Sequence, residues 1–474
     1  MATATDTASS QAGASFGQSY GTMGYRTYVL TSLTLVYTLN FIDRILIGVV
    51  GRPIIDEFSL SNFEFGLLSG LGFAVFYTLL GIPIASFSER YNRVRIIAIS
   101  ICIWSIATVL CGFAMGFLSL LLARVAVGVG EAGCTPPANS ILSDYYEPKS
   151  RSTALGIFAM GVMLGAVLAQ LFGGYILKFF TWREAFIVIG APGILIGILV
   201  WMTIKEPPRG YSDPPGTVKP EKATFKAAFA EIMTRRTFWI MAMGSSLITF
   251  AGYAYLSFQP LYIQYAFDLS ASETAIRYMS LIAFIGALSP AFAGRLTQFL
   301  LKYTKHAPTL VPGVGLIVAA PFLALGFLVG TIELMLFVFM FAAIFQYSGL
   351  GAQFHITQSV VGVTSRATAV AILLFMINII GYGGGPPIFG LVADLIADQH
   401  IAGGPATGLI SASCSLTDGS LSEELARACQ DAKAYGLRWT GVFASGLFVV
   451  GGSLFLLSGL TLEKDVRAVA SGTA

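Results

Sequence analysis

Apolar runs long enough to cross a bilayer recur twelve times along the chain, separated by short charged or Gly/Pro-containing stretches. They fall at roughly 27–50, 62–86, 94–116, 118–141, 153–177, 185–204, 238–265, 274–300, 309–330, 332–360, 367–394 and 437–462. A helix needs about 20 apolar residues to span the hydrocarbon core. Lipid offers backbone groups no partners, so each run is expected to be helical. The longest polar interruption between the termini that divides them evenly, 205–236, leaves six runs on either side. It opens with the linker-like "KEPPRGYSDPPG" and continues as "TFKAAFAEIMTRR", expected to be an amphipathic surface helix. The expected fold is therefore all-α integral membrane, with two pseudo-symmetric six-helix bundles at 25–204 and 237–463. Residues 464–474 form a short tail. Residues 1–24 lack a basic segment followed by an apolar one and read as a disordered tail rather than a cleaved signal.

The two sets of six echo each other. "GVGEAG" (128–133) in the fourth run matches "GLGAQF" (349–354) in the tenth, and "SRSTA" (150–154) matches "SRATA" (365–369). The fifth run closes on "FGGYI" and the eleventh on "GGGPPIFG". The ordered series argues for a duplicated six-helix unit, and two such halves normally enclose a site near the midplane.

Composition agrees with the pattern. The 474 residues are 55% hydrophobic and 11% charged, against about 25% charged in an average soluble domain. A net charge of +3 without a basic tract gives no reason to expect a nucleic-acid partner. With both termini cytoplasmic, nineteen Lys and Arg lie in inside segments and seven outside, so a cell (inner) membrane protein with that orientation is expected. The two basic residues left over, Arg44 and Arg124, lie inside spans.

After the second run the chain reads "GIPIASFSERYNRVR" (81–95). This resembles the signature loop of the major facilitator superfamily, with Glu89 where an Asp is usual, followed by Arg90, Arg93 and Arg95. "RVAVGVGEAG" (124–133) and "TWREAF" (181–186) resemble further elements of that superfamily, and the resemblance spans residues 25–465. "NFIDR" in the first run together with "GVGEA" in the fourth is similar to the Spinster-like branch. An Asn-Tyr-x-Asp-Arg pattern in the anion:cation symporter branch is related to the first of these. The Spinster-like resemblance implies proton-linked movement of sphingolipid- or lysophospholipid-like amphiphiles. The superfamily resemblance also implies gating by Glu89, Arg90 and Arg93, whose loop acid packs near Arg366 at the start of the eleventh run.

A charge at the bilayer centre costs roughly 2.5–3.5 kcal/mol on insertion scales, so it is expected only beside a partner or a cavity. Asp43 and Arg124 each count to about 5 residues, or ~8 Å, outside the midplane of their runs. Glu131 falls near the midplane, with no base expected at its own depth. Neighbours on a helix point about 100° apart, so Asp43 and Arg44 are expected to face different partners. Asp43 and Glu131 are assigned as proton carriers. Arg44 and Arg124 are assigned as charge partners that also suit a phosphate or carboxylate. The second half carries no mid-span acid or base; Tyr253, Gln353, Asn378 and Tyr382 are its candidate cavity residues, and His355 falls nearer the run's end. "GYGGGPPIFG" (381–390) is expected to bend.

Cys414 and Cys429 lie in the long polar outer segment and are a disulfide candidate. No P-loop, His-Glu-x-x-His or paired-Cys metal pattern occurs, so neither an enzyme nor ATP as driver is expected, and no cofactor beyond a proton gradient. Expected partners are membrane lipids, protons and a small amphiphilic or anionic substrate, with the protein a monomer. A proton symporter of a small organic anion and a transporter-like receptor remain the competing readings.

Overall fold

The computed structural model describes residues 19–213, 224–403, 410–411, 414 and 422–470. Within them, twelve helices are long and apolar enough to cross a membrane. They are α1 (Met23–Val49), α2 (Asn62–Ser88), α3 (Arg93–Cys111), α4 (Phe117–Tyr145), α5 (Pro148–Leu177) and α6 (Trp182–Thr203), followed by α7 (Arg236–Ala266), α8 (Ala271–Leu300), α9 (Ala307–Leu328), α10 (Ile332–Ser359), α11 (Arg366–Ala402) and α12 (Glu423–Ala470). No strand occurs among the described residues. Because the number of crossings is even, α1 begins on the face where α12 ends. We call it the terminal face, and the other the opposite face.

Several ends differ from the hydropathy pattern. α12 starts at Glu423, well before the apolar run at 437, because "EELARACQDAKAYG" is rich in good helix formers. Residues 19–22 are not a free tail: Tyr20 N–H donates to the Tyr145 carbonyl at 3.0 Å, and its ring packs edge-on against Tyr145 and Tyr211. The rest of the expected tail, 1–18, lies outside the described residues. The expected amphipathic helix is Phe225–Thr234, which buries Ala228 and Ile232. A short helix, Gly51–Phe58, joins α1 to α2 on the opposite face. Cys414 and Cys429 are joined as a disulfide beyond α11.

Two helices break beside the midplane for a covalent reason. Pro136 and Pro137 lack the N–H groups that would bond to residues 132 and 133, and α4 relaxes into a turn over 132–134. In α11, Pro386 and Pro387 follow a wide π-helical turn over Ile377–Gly383. α2 and α8, which occupy equivalent places in the two halves, both carry a π-helical turn just after their first α-helical residues, Leu67–Leu71 and Thr274–Met279.

The halves meet from the middle to the opposite face. Helices α2 and α11, α1 and α7, and α5 and α8 form the contact. A Cβ at Gly66 of α2 would lie 2.5 Å from the Pro386 carbonyl oxygen of α11, so glycine permits this approach. Toward the terminal face, the named polar contacts stay within each half. Arg93 bonds Asp144 and Glu206 in the first, and Glu231 bonds Gly362 N–H and Ser365 in the second. The molecule is thus closed on the opposite face.

Candidate functional site

The four charges expected in the first half come together as two buried pairs. Arg44 Nε donates to Glu131 Oε2 at 2.6 Å, and Arg124 Nη1 lies 3.7 Å from Asp43 Oδ1. Thr108 of α3 donates its hydroxyl hydrogen to Asp43 Oδ2. Arg124 and Glu131 are fully buried, Asp43 is 2% exposed and Arg44 6%. Asp43 and Arg44 indeed face different partners.

The geometry corrects the expectation that Glu131 has no base at its level. Helical side chains tilt toward the N-terminus of their helix. For α1 that is toward the terminal face, and for α4 it is away from it. The long Arg44 side chain therefore reaches along the membrane normal to meet Glu131. Arg124 and Glu131 sit seven residues, or ~10 Å, apart on α4, and the neighbouring pair Asp43–Arg44 spans that gap by pointing different ways. Gly128, between them on α4, allows the fit: a Cβ there would stand 2.6 Å from the Phe73 carbonyl oxygen of α2.

Aromatic rings surround the pairs. The Arg44 guanidinium carbon lies 4.3 Å from the Tyr77 ring centre, 4.8 Å from Phe73 and 4.9 Å from Phe41. Cation–π contacts of this kind contribute about 0.5–2 kcal/mol each. Phe73 also lies 5.3 Å from Tyr382 of α11, which stacks on Tyr253 of α7 at 4.0 Å. A continuous ring ladder thus links the charged first half to the second.

Hydrogen bonding around the pairs is incomplete. Arg124 Nε, Nη1 and Nη2, Arg44 Nη2, Glu131 Oε1 and both amide atoms of Asn40 are buried with no hydrogen-bond partner among the described residues. Buried polar groups are normally paired, and leaving one unpaired costs about 1–3 kcal/mol. Unpaired donors beside two buried ion pairs are chemically suited to a polar, acceptor-rich group.

The other sequence candidates divide. Tyr253 and Tyr382 belong to the ring ladder, while Gln353 is buried in α10 and Asn378 half-buried in the π-helical turn of α11. Arg93 is buried within the first half, bonding Ser140 Oγ at 2.8 Å, Glu206 at 2.6 Å and the Pro207 carbonyl. Glu89 and Arg90 are exposed at the terminal end of α2. Arg366 is exposed and makes no hydrogen bond or ion pair among the described residues, so the structure does not bring it to the Glu89 loop.

Sequence reasoning missed a latch on the opposite face. Asp394 of α11 accepts from Asn62 N–H at 3.1 Å, Asn62 Nδ2 at 2.7 Å and Phe63 N–H at 2.9 Å, all at the start of α2. It caps the free N–H groups of that helix from across the interface between the halves. Beside it, Arg52 Nη1 donates to the Gln264 and Leu269 carbonyls of the second half and lies over the Tyr265 ring. Burial pushes the Asp56 carboxyl above the usual carboxylate range, with Lys433 and Arg52 pulling it back. The Ser-x-x-Glu pattern at 61–64, a capping box, was the available signal for this helix start. Its partner, 332 residues away, left none.

This fold and site have known counterparts. The Major Facilitator Superfamily model matches residues 33–386. The chain belongs to the Major Facilitator Superfamily. A crystal structure of a bacterial homolog to the human lysosomal transporter Spinster, inward-facing and unoccupied, superposes with a TM-score of 0.85 at 40% identity, over 94% of this chain and 99% of that one. The mouse sphingosine-1-phosphate transporter SPNS2 is 25% identical over 77% of this chain and 69% of its own length. An MFS-type efflux pump of Mycolicibacterium smegmatis is 28% identical over 77% of this chain and 84% of its own. The protein is a Spinster-like membrane transporter of this superfamily, and not an enzyme.

Proposed function

We propose that the protein is a proton-coupled secondary transporter of a lipid-like amphiphile, of the sphingolipid or lysophospholipid type, working by alternating access. The observation that carries the reading is the two buried ion pairs of the first half with unpaired guanidinium nitrogens, set against an aromatic second half. An anionic head group reaching Arg44 and Arg124 competes with Glu131 and Asp43 for the same guanidinium groups. A carboxylate that loses its Arg in a buried site favours its neutral form and takes a proton. Substrate binding and protonation thereby promote each other. The ring ladder from Tyr77 to Tyr253 offers the apolar wall that a tail needs.

Transport also requires the opposite face to open. In this reading the Asp394 cap on α2 and the Arg52 contacts break, and the Glu89–Arg90 loop approaches Arg366 to close the terminal face. The Lys and Arg bias supports reading that terminal face as cytoplasmic and the membrane as the cell membrane, and the proposed working unit is the monomer.

Free guanidinium donors would equally serve a small carboxylate, so the test must separate the two. Purified protein is screened for thermal stabilisation by lysolipids, sphingoid bases and small organic acids, and the stabilising ligands are followed into proteoliposomes under a pH gradient. The expected result is stabilisation by lysolipids or sphingoid phosphates and gradient-driven movement. Stabilisation by small acids alone would replace the lipid reading with an organic-anion symporter. Binding without movement would make the chain a receptor.

A further inference from the structure

The second half carries a pair of adjoining clefts that the transport site does not use. On the terminal face, a cleft of about 300 Å³ lies between the α8–α9 loop and the ends of α10 and α12. Its polar lining is Lys305, His355, Ser359, Glu463 and Arg467, and its floor includes Leu301 and Leu462. Glu463 accepts from Arg467 Nη2 at 2.9 Å, whereas Lys305 has no ion-pair partner among the described residues. From Arg295 to Ile332 the chain carries Arg295, Lys302, Lys305 and His306 and no acid at all. The local field on this loop is therefore positive.

Further along the same helices, a second groove of about 230 Å³ runs between α8, α9 and α10. It is walled by Phe292, Leu296, Val314, Val318 and Phe345, with Ser348 the one polar side chain. Phe292 and Val314 are exposed there, at hydrocarbon depth on their helices. The two clefts draw on neighbouring residues, Leu301 and Pro308 for the first, Leu300 and Leu310 for the second. From Pro308 to Val318 is ten residues, or ~15 Å of helix, a fair fraction of an acyl chain's length. A basic cleft at the membrane surface, continued inward by an apolar groove, has the polarity profile of an anionic amphiphile. Basic pockets between membrane helices commonly take phosphate head groups.

We propose that this is a binding site for an anionic glycerophospholipid of the surrounding membrane. The phosphate sits against Lys305 and Arg467, and one acyl chain lies in the groove between α8 and α9. The site is in the second half and uses none of the ion-paired residues of α1 and α4, so it stands apart from the transport reading.

Native mass spectrometry of the purified full chain tests it, titrating phosphatidylglycerol against phosphatidylcholine of the same chains, with inorganic phosphate in parallel. Wild type should retain phosphatidylglycerol several-fold better than phosphatidylcholine and show no phosphate adduct. Lys305→Gln with Arg467→Gln should erase the preference between the two lipids while leaving the thermal midpoint unchanged. Val314→Trp should reduce retention of both lipids by filling the groove. Equal retention of the two lipids by wild type would overturn the proposal, as would an intact preference in the Lys305/Arg467 variant. Tight binding of inorganic phosphate without lipid would reduce the site to a simple anion pocket and overturn it too.

Discussion

The two halves share one six-helix plan but use it for different chemistry. "GVGEAG" in α4 and "GLGAQF" in α10 align without a gap, and each helix breaks near that segment, over 132–134 and 347–348. Where α4 has Glu131, α10 has Ala352, and where α4 has Arg124, α10 has Phe345. The second half folds the same way with apolar residues at those places. The buried charges are therefore not needed to build this architecture. The proposed proton coupling uses the charges of the first half, and the second half contributes rings and amides instead.

The largest expected effect tests that contrast directly. Removing one partner of a buried ion pair costs about 3–5 kcal/mol, whereas replacing both by apolar residues is often neutral. Glu131→Ala is expected to destabilise the protein on that scale in detergent unfolding. The double variant Arg44→Met, Glu131→Leu should recover most of the loss yet remain transport-dead. If the double variant also transports, the pair is structural after all and the halves differ only in packing.

Next in size is the latch on the opposite face. Hydrogen bonds to a charged group contribute about 1.5–3 kcal/mol each. Asp394→Ala, which removes all three, is expected to shift the molecule toward an open opposite face. Spin-label distances between the outer ends of α2 and α11 would lengthen. Unchanged distances would show that the packing at Gly66 and its neighbours, with the Arg52 bonds, holds the halves together without the cap.

Tyr253→Ala should have a smaller effect. Stacked rings contribute about 0.5–1.5 kcal/mol beyond their buried area. The expected loss is in affinity for long-tailed ligands, with small anions unaffected. An equal loss for both would mean the second half does not discriminate by tail. Smallest is Arg366→Gln, an exposed residue without a partner, expected to change unfolding stability by less than ~0.5 kcal/mol. A slower transport cycle in the same variant would place Arg366 in the contact that closes the terminal face.

Much of this was readable from the chain. Twelve apolar runs and a repeat of ordered matches lead to the fold because the bilayer permits few alternatives. The four mid-span charges stand out for the same reason. Their pairing was harder to read: counting residues locates a Cα atom, but Arg44 carries its charge several ångströms toward the terminal face. The Asp394 cap was invisible because it joins helices far apart in sequence. The early start of α12 was missed because hydropathy cannot see a polar helix. The Gly/Pro segment 381–390 marked a bend in α11, though not the π-helical turn that precedes its prolines, while the break at Pro136–Pro137 in α4 went unread.

The central claim is that Glu131 exchanges Arg44 for a proton during transport. It is tested most directly by reconstituting Glu131→Gln in vesicles and measuring both gradient-driven accumulation and substrate exchange without a gradient. Accumulation is expected to collapse to the equilibrium level while exchange survives, because glutamine still accepts from Arg44 and cannot carry a proton. Accumulation at the wild-type rate would contradict the claim.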